Sequence, residues 1–256
     1  MTDQARRGGV AEPAEVRLPG GNLGGAIRAG DTVHRAAGPW TPAVHALLGY
    51  LAPRLPHIPR VLGFDARGRE VLSYLPGQVT ADGPAVLSLA QLTALARWAR
   101  QFHDAVAGFW HPGPWRFPAV TGATLIGHND IAPYNACFDG DRLAGVFDWD
   151  MAGPSTPLME LAFMAWNCVP LWRDTGPETA AARLTVLAEG YGGLPARQIL
   201  STVPERIRLL LDHIPVAAAA GDAGMAALMT TGEPGISARA LDGLLTRMPG
   251  IAARLG

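Results

Sequence analysis

Two stretches of this chain carry residue types that could do chemistry together: His128-Asn129-Asp130-Ile131-Ala132-Pro133-Tyr134-Asn135, and Gly145-Val146-Phe147-Asp148-Trp149-Asp150. They supply a carboxylate, an amide five residues on, and a second carboxylate after a short hairpin. Hard oxygen donors in this order can converge on one nucleotide-bound cation, while a carboxylate orients an attacking hydroxyl. The chemistry expected is phosphoryl transfer. Asp130 is the expected base, Asn135 and Asp148 the expected ligands of Mg2+, and His128 and Asp150 supporting groups. His128 is expected to shape the loop by hydrogen bonding and not to carry protons.

The elements around these residues must bring them together. Pro133 discourages helix, so the loop can turn back and offer Asn135. Phe138 to Leu143 fits a hairpin with Asp139-Gly140 at its tip, which would return the chain to Asp148. Upstream, Val16-Arg17-Leu18, Ala26-Ile27-Arg28 and Thr32 to Arg35 read as strands, with the glycine-rich turn Pro19 to Gly25 between the first two. A helix from Ala43 to about Leu51, with Thr41 as N-cap and Pro42 opening it, puts Val44, Leu47, Leu48 and Leu51 on one face. Val61 to Phe64 and Glu70 to Leu75 are two further strands. From Leu87 onward the apolar spacing becomes helical: 87–106, 158–169, 178–191 and 204–214, the last ended or bent by Pro215. Residues 216–255 read as helix interrupted by Gly and Pro.

The pattern His128-x-Asp130-x4-Asn135, with Phe147-Asp148-Trp149-Asp150, resembles the aminoglycoside phosphotransferase family of the wider protein-kinase-like fold. Other pieces fall in matching order: Gly20 to Gly25 resembles the nucleotide loop, Ile58 to Gly63 the lead into the next strand, and Tyr74-Leu75-Pro76-Gly77 the hinge. Phe102-His103 resembles the family's Leu-His, and Pro157 to Ala162 stands where an Asp-Leu-Ala is usual. Residues 1–14, polar and small without periodicity, read as a loose tail; the resemblance implies an α+β, bilobal fold beyond it, with a small N-lobe over 15–75 made of an antiparallel sheet plus one helix, and a larger, mainly helical C-lobe over 76–256. It implies nucleotide contacts at Gly20, Gly21, Asn22, Arg35, Ser73 and Leu75. It also implies ATP, with GTP as the alternative nucleotide, and a small-molecule hydroxyl as acceptor.

One departure stands out. The chain has no lysine: all 21 of its basic residues are arginine. Arg35 therefore stands where the family places a phosphate-contacting lysine, and a planar guanidinium does not occupy an ammonium's slot unchanged. No Asp or Glu occurs between Asp31 and Asp65, so the helix at 43–51 offers Arg35 no acidic partner. A second reading follows, a nucleotide-binding or interaction protein on the same scaffold without turnover.

Composition narrows the rest. At 256 residues, 48% hydrophobic and 17% charged, the chain can bury a large core. A net charge of −1 without a basic stripe argues against nucleic acid or a membrane surface as partner. With no apolar leader at the N-terminus, a cytoplasmic location is the expectation. Beyond Met151, acids and arginines nearly balance, which does not favour a strongly acidic cleft for a polycation. Cys137 and Cys168 are isolated and read as buried thiols.

Overall fold

A computed structural model describes residues 14–18, 25–79 and 86–255. The N-terminal part is a sheet of five short strands: β1 (Glu15–Arg17), β2 (Ile27–Ala29), β3 (Thr32–Arg35), then, beyond helix α1 (Thr41–Leu51), β4 (Val61–Phe64) and β5 (Glu70–Ser73). Their order is β1-β2-β3-β5-β4, every neighbour antiparallel. In β3 and β5 the register sets Arg35 opposite Glu70. Helix α1 buries Val44, Leu47, Leu48 and Leu51, the face its spacing predicts. Its start differs from the expected cap. Thr41 is the first helical residue and Trp40 the cap position, because the Thr41 hydroxyl accepts the Gly38 N–H at 2.9 Å and faces backward into the entering turn.

The remainder is mostly helical. After β6 (Gln78–Val79) comes α2 (Leu89–Val106), opened by a Ser88–Gln91 capping box. β7 (Leu125–Gly127) pairs with β10 (Gly153–Ser155), and between them β8 (Ala136–Asp139) and β9 (Arg142–Val146) form the hairpin expected from Asp139-Gly140. Helices α3 (Pro157–Cys168), α4 (Pro177–Tyr191), α5 (Ala196–Ala219), α6 (Ala223–Thr231) and α7 (Glu233–Ala252) complete the chain. Trp98 stacks on Phe102, and Trp149 meets both rings edge-on, at the centre of a core running from α1 through α2 to α3 and α4. Both cysteines are buried and free.

Helix α5 is longer than its sequence suggests. It runs unbroken through Pro204 and Pro215 and starts eight residues earlier than expected. Tertiary packing holds it: Ile199, Leu200, Val203 and Ile207 are all at or below 1% exposure. Their burial outweighs the backbone hydrogen bonds that the two prolines forgo. Among the described residues no single helix is long and apolar enough to cross a membrane.

Candidate active site

β7 ends at Gly127, and the chain then bends through Asn129 at φ +60°, a left-handed conformation that asparagine tolerates better than most side chains. The bend is braced from beneath. Glu160, in the first turn of α3, accepts the His128 N–H at 3.0 Å and also the Asn129 N–H. Arg206 of α5 donates to the Asn129 carbonyl at 2.6 Å, and the Asn129 side chain donates to the Gly153 carbonyl at 3.2 Å. Glycine at 127 permits this approach, since a Cβ there would lie 2.9 Å from Glu160 Cδ. Burial opposes ionisation of Glu160, yet His103, 3.5 Å away, holds its carboxyl below the ordinary value.

Arg206 is fully buried, its guanidinium 4.3 Å and 4.4 Å from the ring centroids of Phe117 and Phe163. Those π-faces substitute in part for the water it has lost. Burial lowers its pKa to about 10. His128 is buried too, and burial shifts it toward the neutral form. A single tautomer satisfies its ring: Nε2–H donates to the Phe147 carbonyl at 3.1 Å, and Nδ1 accepts the Asp130 N–H at 3.3 Å. The imidazole thereby ties the loop bearing Asp130 to the strand end bearing Asp148.

Both oxygens of Asp130 are engaged. Oδ1 accepts the Tyr134 hydroxyl at 2.8 Å, and Oδ2 accepts Asn135 Nδ2 at 2.8 Å. Burial first, and the charge of Asp148 second, push the Asp130 carboxyl up to about 7. Because Asn135 presents its amide nitrogen to Asp130, its amide oxygen is the atom left for a cation.

Asp148 also adopts φ +60°. Arg35 reaches it from β3, Nη1 donating to Oδ1 at 2.7 Å, while the other two nitrogens of Arg35 donate to Glu70 and to Asp150. Burial disfavours this guanidinium, but Asp150, Asp148 and Glu70 together hold its pKa above the ordinary value. Burial likewise opposes ionisation of Asp148, and Arg35 nevertheless holds that carboxyl low. For Asp150 burial prevails, raising it to about 6. Arg116 stands 3.6 Å from Asp150, pairs with Asp222 at the N-terminus of α6 through two bonds of 2.7 Å and 2.8 Å, and lies over the Trp40 ring.

The sequence-derived residues His128, Asp130, Asn135, Asp148, Asp150 and Arg35 thus meet in one place. Ser73 and Leu75 are engaged locally: the Ser73 N–H and hydroxyl both bond the Arg60 backbone, and the Leu75 carbonyl faces the Cys137 thiol. Gly20, Gly21 and Asn22 lie outside the described residues. The missing acid is where sequence reasoning fell short. Helix α1 offers none, as read, but β5 supplies Glu70, and His45 of α1 binds the second oxygen of Glu70 at 2.9 Å. Glu160, Arg116 and Arg206 were also missed as site residues; only Glu160 had a signal, its place in the Pro157 to Ala162 segment.

No cluster of three or more His, Cys, Asp or Glu among the described residues could hold a metal alone. The donor set here, one amide oxygen and one carboxylate, fits a hard cation that also takes phosphate oxygens.

A model of the phosphotransferase enzyme family matches residues 110–200. The trifolitoxin immunity protein of Rhizobium leguminosarum bv. trifolii is 33% identical over 195 residues, covering 70% of this chain and 74% of that protein. The chain belongs to the phosphotransferase enzyme family. Solved structures agree in fold. The amicoumacin kinase complex with AMP-PNP, Ca2+ and Ami superposes with a TM-score of 0.62 at 12% identity, covering 90% of this chain and 88% of that chain. For the GDP complex of aminoglycoside 2'-phosphotransferase-IIIa the TM-score is 0.56 at 16% identity, with 92% and 94% covered. These likenesses bear out the bilobal α+β architecture that the motifs imply for this family member.

Proposed function

We propose that this phosphotransferase-family protein moves the γ-phosphate of ATP to a hydroxyl of a small molecule, with Asp130 as base. The observation that carries the reading is the meeting of Asp130, Asn135 and Asp148 with the guanidinium of Arg35. Mg2+ held by Asn135 and Asp148 would neutralise phosphate charge when bound. The chain's own groups do the rest. Asp130 takes the acceptor's proton, Arg35 offers N–H donors to phosphate oxygens, and the brace of Glu160 and Arg206 holds the loop in place. The nucleotide would be held by residues 15–75 and the acceptor by the helices beyond Pro76. A GDP-bound structural relative keeps GTP as an alternative nucleotide.

An immunity protein among the relatives, and antibiotic kinases among the structural ones, support an antimicrobial compound as acceptor. The near balance of acids and arginines after Met151 favours a weakly charged one. Nothing in this reading requires nucleic acid, a membrane or a compartment other than the cytoplasm. The test is ADP release across a panel of hydroxyl-bearing antibiotics and metabolites, with Asp130→Asn as blank. Acceptor-dependent release lost in the variant supports the assignment; release unchanged in the variant rejects it.

One observation favours the second reading, binding without turnover. Arg35 already donates to Asp148, so a cation and Arg35 compete for one carboxylate. Protection against thermal unfolding by Mg-ATP, with no acceptor yielding ADP, would favour it.

A further inference from the structure

The turn Pro133–Asn135 carries a hydroxyl that the proposed reaction does not use. Tyr134 immediately precedes Asn135, and its Oη donates to Asp130 Oδ1 at 2.8 Å while Asn135 holds Oδ2. An acceptor hydroxyl must sit on its base in the same way: an O–H donor within hydrogen-bond distance of one carboxylate oxygen. Among the described residues, Tyr134 is the hydroxyl in that position. The two neighbours differ in freedom. Asn135 is 4% exposed, whereas Tyr134 is 44% exposed, so rotating the phenol away disrupts little packing.

We infer that Tyr134 determines specificity against water: its hydroxyl occupies Asp130 Oδ1 until an acceptor hydroxyl displaces it. This rests on the phosphotransferase reading above. The reaction it would suppress is balanced hydrolysis. A water proton passes to Asp130, the water oxygen bonds to the γ-phosphorus, the bond from that phosphorus to the β–γ bridging oxygen breaks, and ADP leaves with phosphate as coproduct. Small acceptors of this chemistry always compete with water, which is smaller and present at far higher concentration. A hydroxyl tethered to the loop that bears the base occupies water's place at the carboxylate. It is also weakly enough packed to yield to a bound acceptor.

The experiment uses the full chain with Mg-ATP and no acceptor, reading ADP release. Tyr134→Phe removes the one O–H and keeps the ring; Tyr134→Leu removes both. Each is expected to raise acceptor-free ADP release, by roughly tenfold if the freed oxygen recovers part of a general base's usual effect. Adding Asp130→Asn to either is expected to abolish the increase. A tyrosine that merely propped Asp130 would instead lower hydrolysis and acceptor transfer together. Release that stays flat or falls in both variants, with melting temperatures near the parent's, overturns the inference. The two readings fail separately. Acceptor transfer that depends on Asp130 beside flat Tyr134 variants sinks the gate alone. No Asp130-dependent ADP release from any variant or acceptor sinks both.

Discussion

Around Asp130 the chain holds its shape with buried hydrogen-bonded groups: Glu160 on two backbone N–H groups, Arg206 on a carbonyl through one of its nitrogens, His128 spanning two segments. Around Arg35 it holds charge with charge. One guanidinium is shared among three carboxylates that come from β5 and from the segment after β9. The first region uses fixed geometry and leaves little freedom to move. The second is held by ion pairs whose members can exchange one partner for another. Of its acids, Asp148 has 39% side-chain exposure against 1% for Glu70, so Glu70 is the anchor and Asp148 the partner open to exchange. The proposed roles match this difference: a base needs fixed position, whereas a phosphate contact would have to be made and released in each cycle.

Substitutions at four positions would break or sharpen this contrast. Asp130→Asn has the largest expected effect on turnover, a loss of at least about 100-fold in acceptor-dependent ADP release. The melting temperature of the free protein should hold or rise, because the fold disfavours the ionised form of this carboxyl. Second is Glu160→Ala, which leaves the N–H groups of His128 and Asn129 without their acceptor and should destabilise by about 3 kcal/mol in urea unfolding. Glu160 also predicts a pH dependence. Its folded pKa is lowered from 4.5, so its contribution is present above pH 4.5 and is lost as pH falls through the lower folded value. Glu160→Gln should flatten that acid limb when melting temperature is followed from pH 6 to pH 3.

On the sheet side the effects should be on nucleotide and not on fold. Arg35→Lys restores an ammonium but cannot span three carboxylates. Loss of one charge-assisted hydrogen bond predicts an apparent Kd for Mg-ATP weakened roughly tenfold, measured by titration calorimetry. A tighter Kd would show that Arg35 obstructs the site. Smallest is His45→Ala, which leaves the Arg35–Glu70 contact in place and removes a single hydrogen bond to Glu70, so nucleotide Kd should change by no more than about threefold. If His45→Ala matched Arg35→Lys, helix α1 and not β5 would be the anchor, and the contrast between the regions would fail.

Much of the site was legible because its residues are close in sequence. Asp130 and Asn135 share one turn, and the β8–β9 hairpin that brings back Asp148 has its own tip signal. Strands and helices with strong period, such as α1 and α2, were legible for the same reason: local spacing decides the face. Less visible was anything depending on register between distant strands. Glu70 lies opposite Arg35 only because β3 and β5 pair across the intervening α1 and β4. Helix α5 was misread because proline lowers local helix propensity, while burial against α3 and the Phe117 segment exceeds that penalty.

The sequence by itself determined the chemistry available here, namely two carboxylates and an amide at hairpin spacing in a chain with arginine as its sole permanent cation. It determined the alternation of short strands and amphipathic helices as well, since hydrophobic period is a local property. Which acid neutralises Arg35 and which buried groups clamp the Asn129 bend were decided by tertiary structure. Each depends on a pairing register, a side-chain direction or a desolvated contact, and those exist only once distant segments have packed.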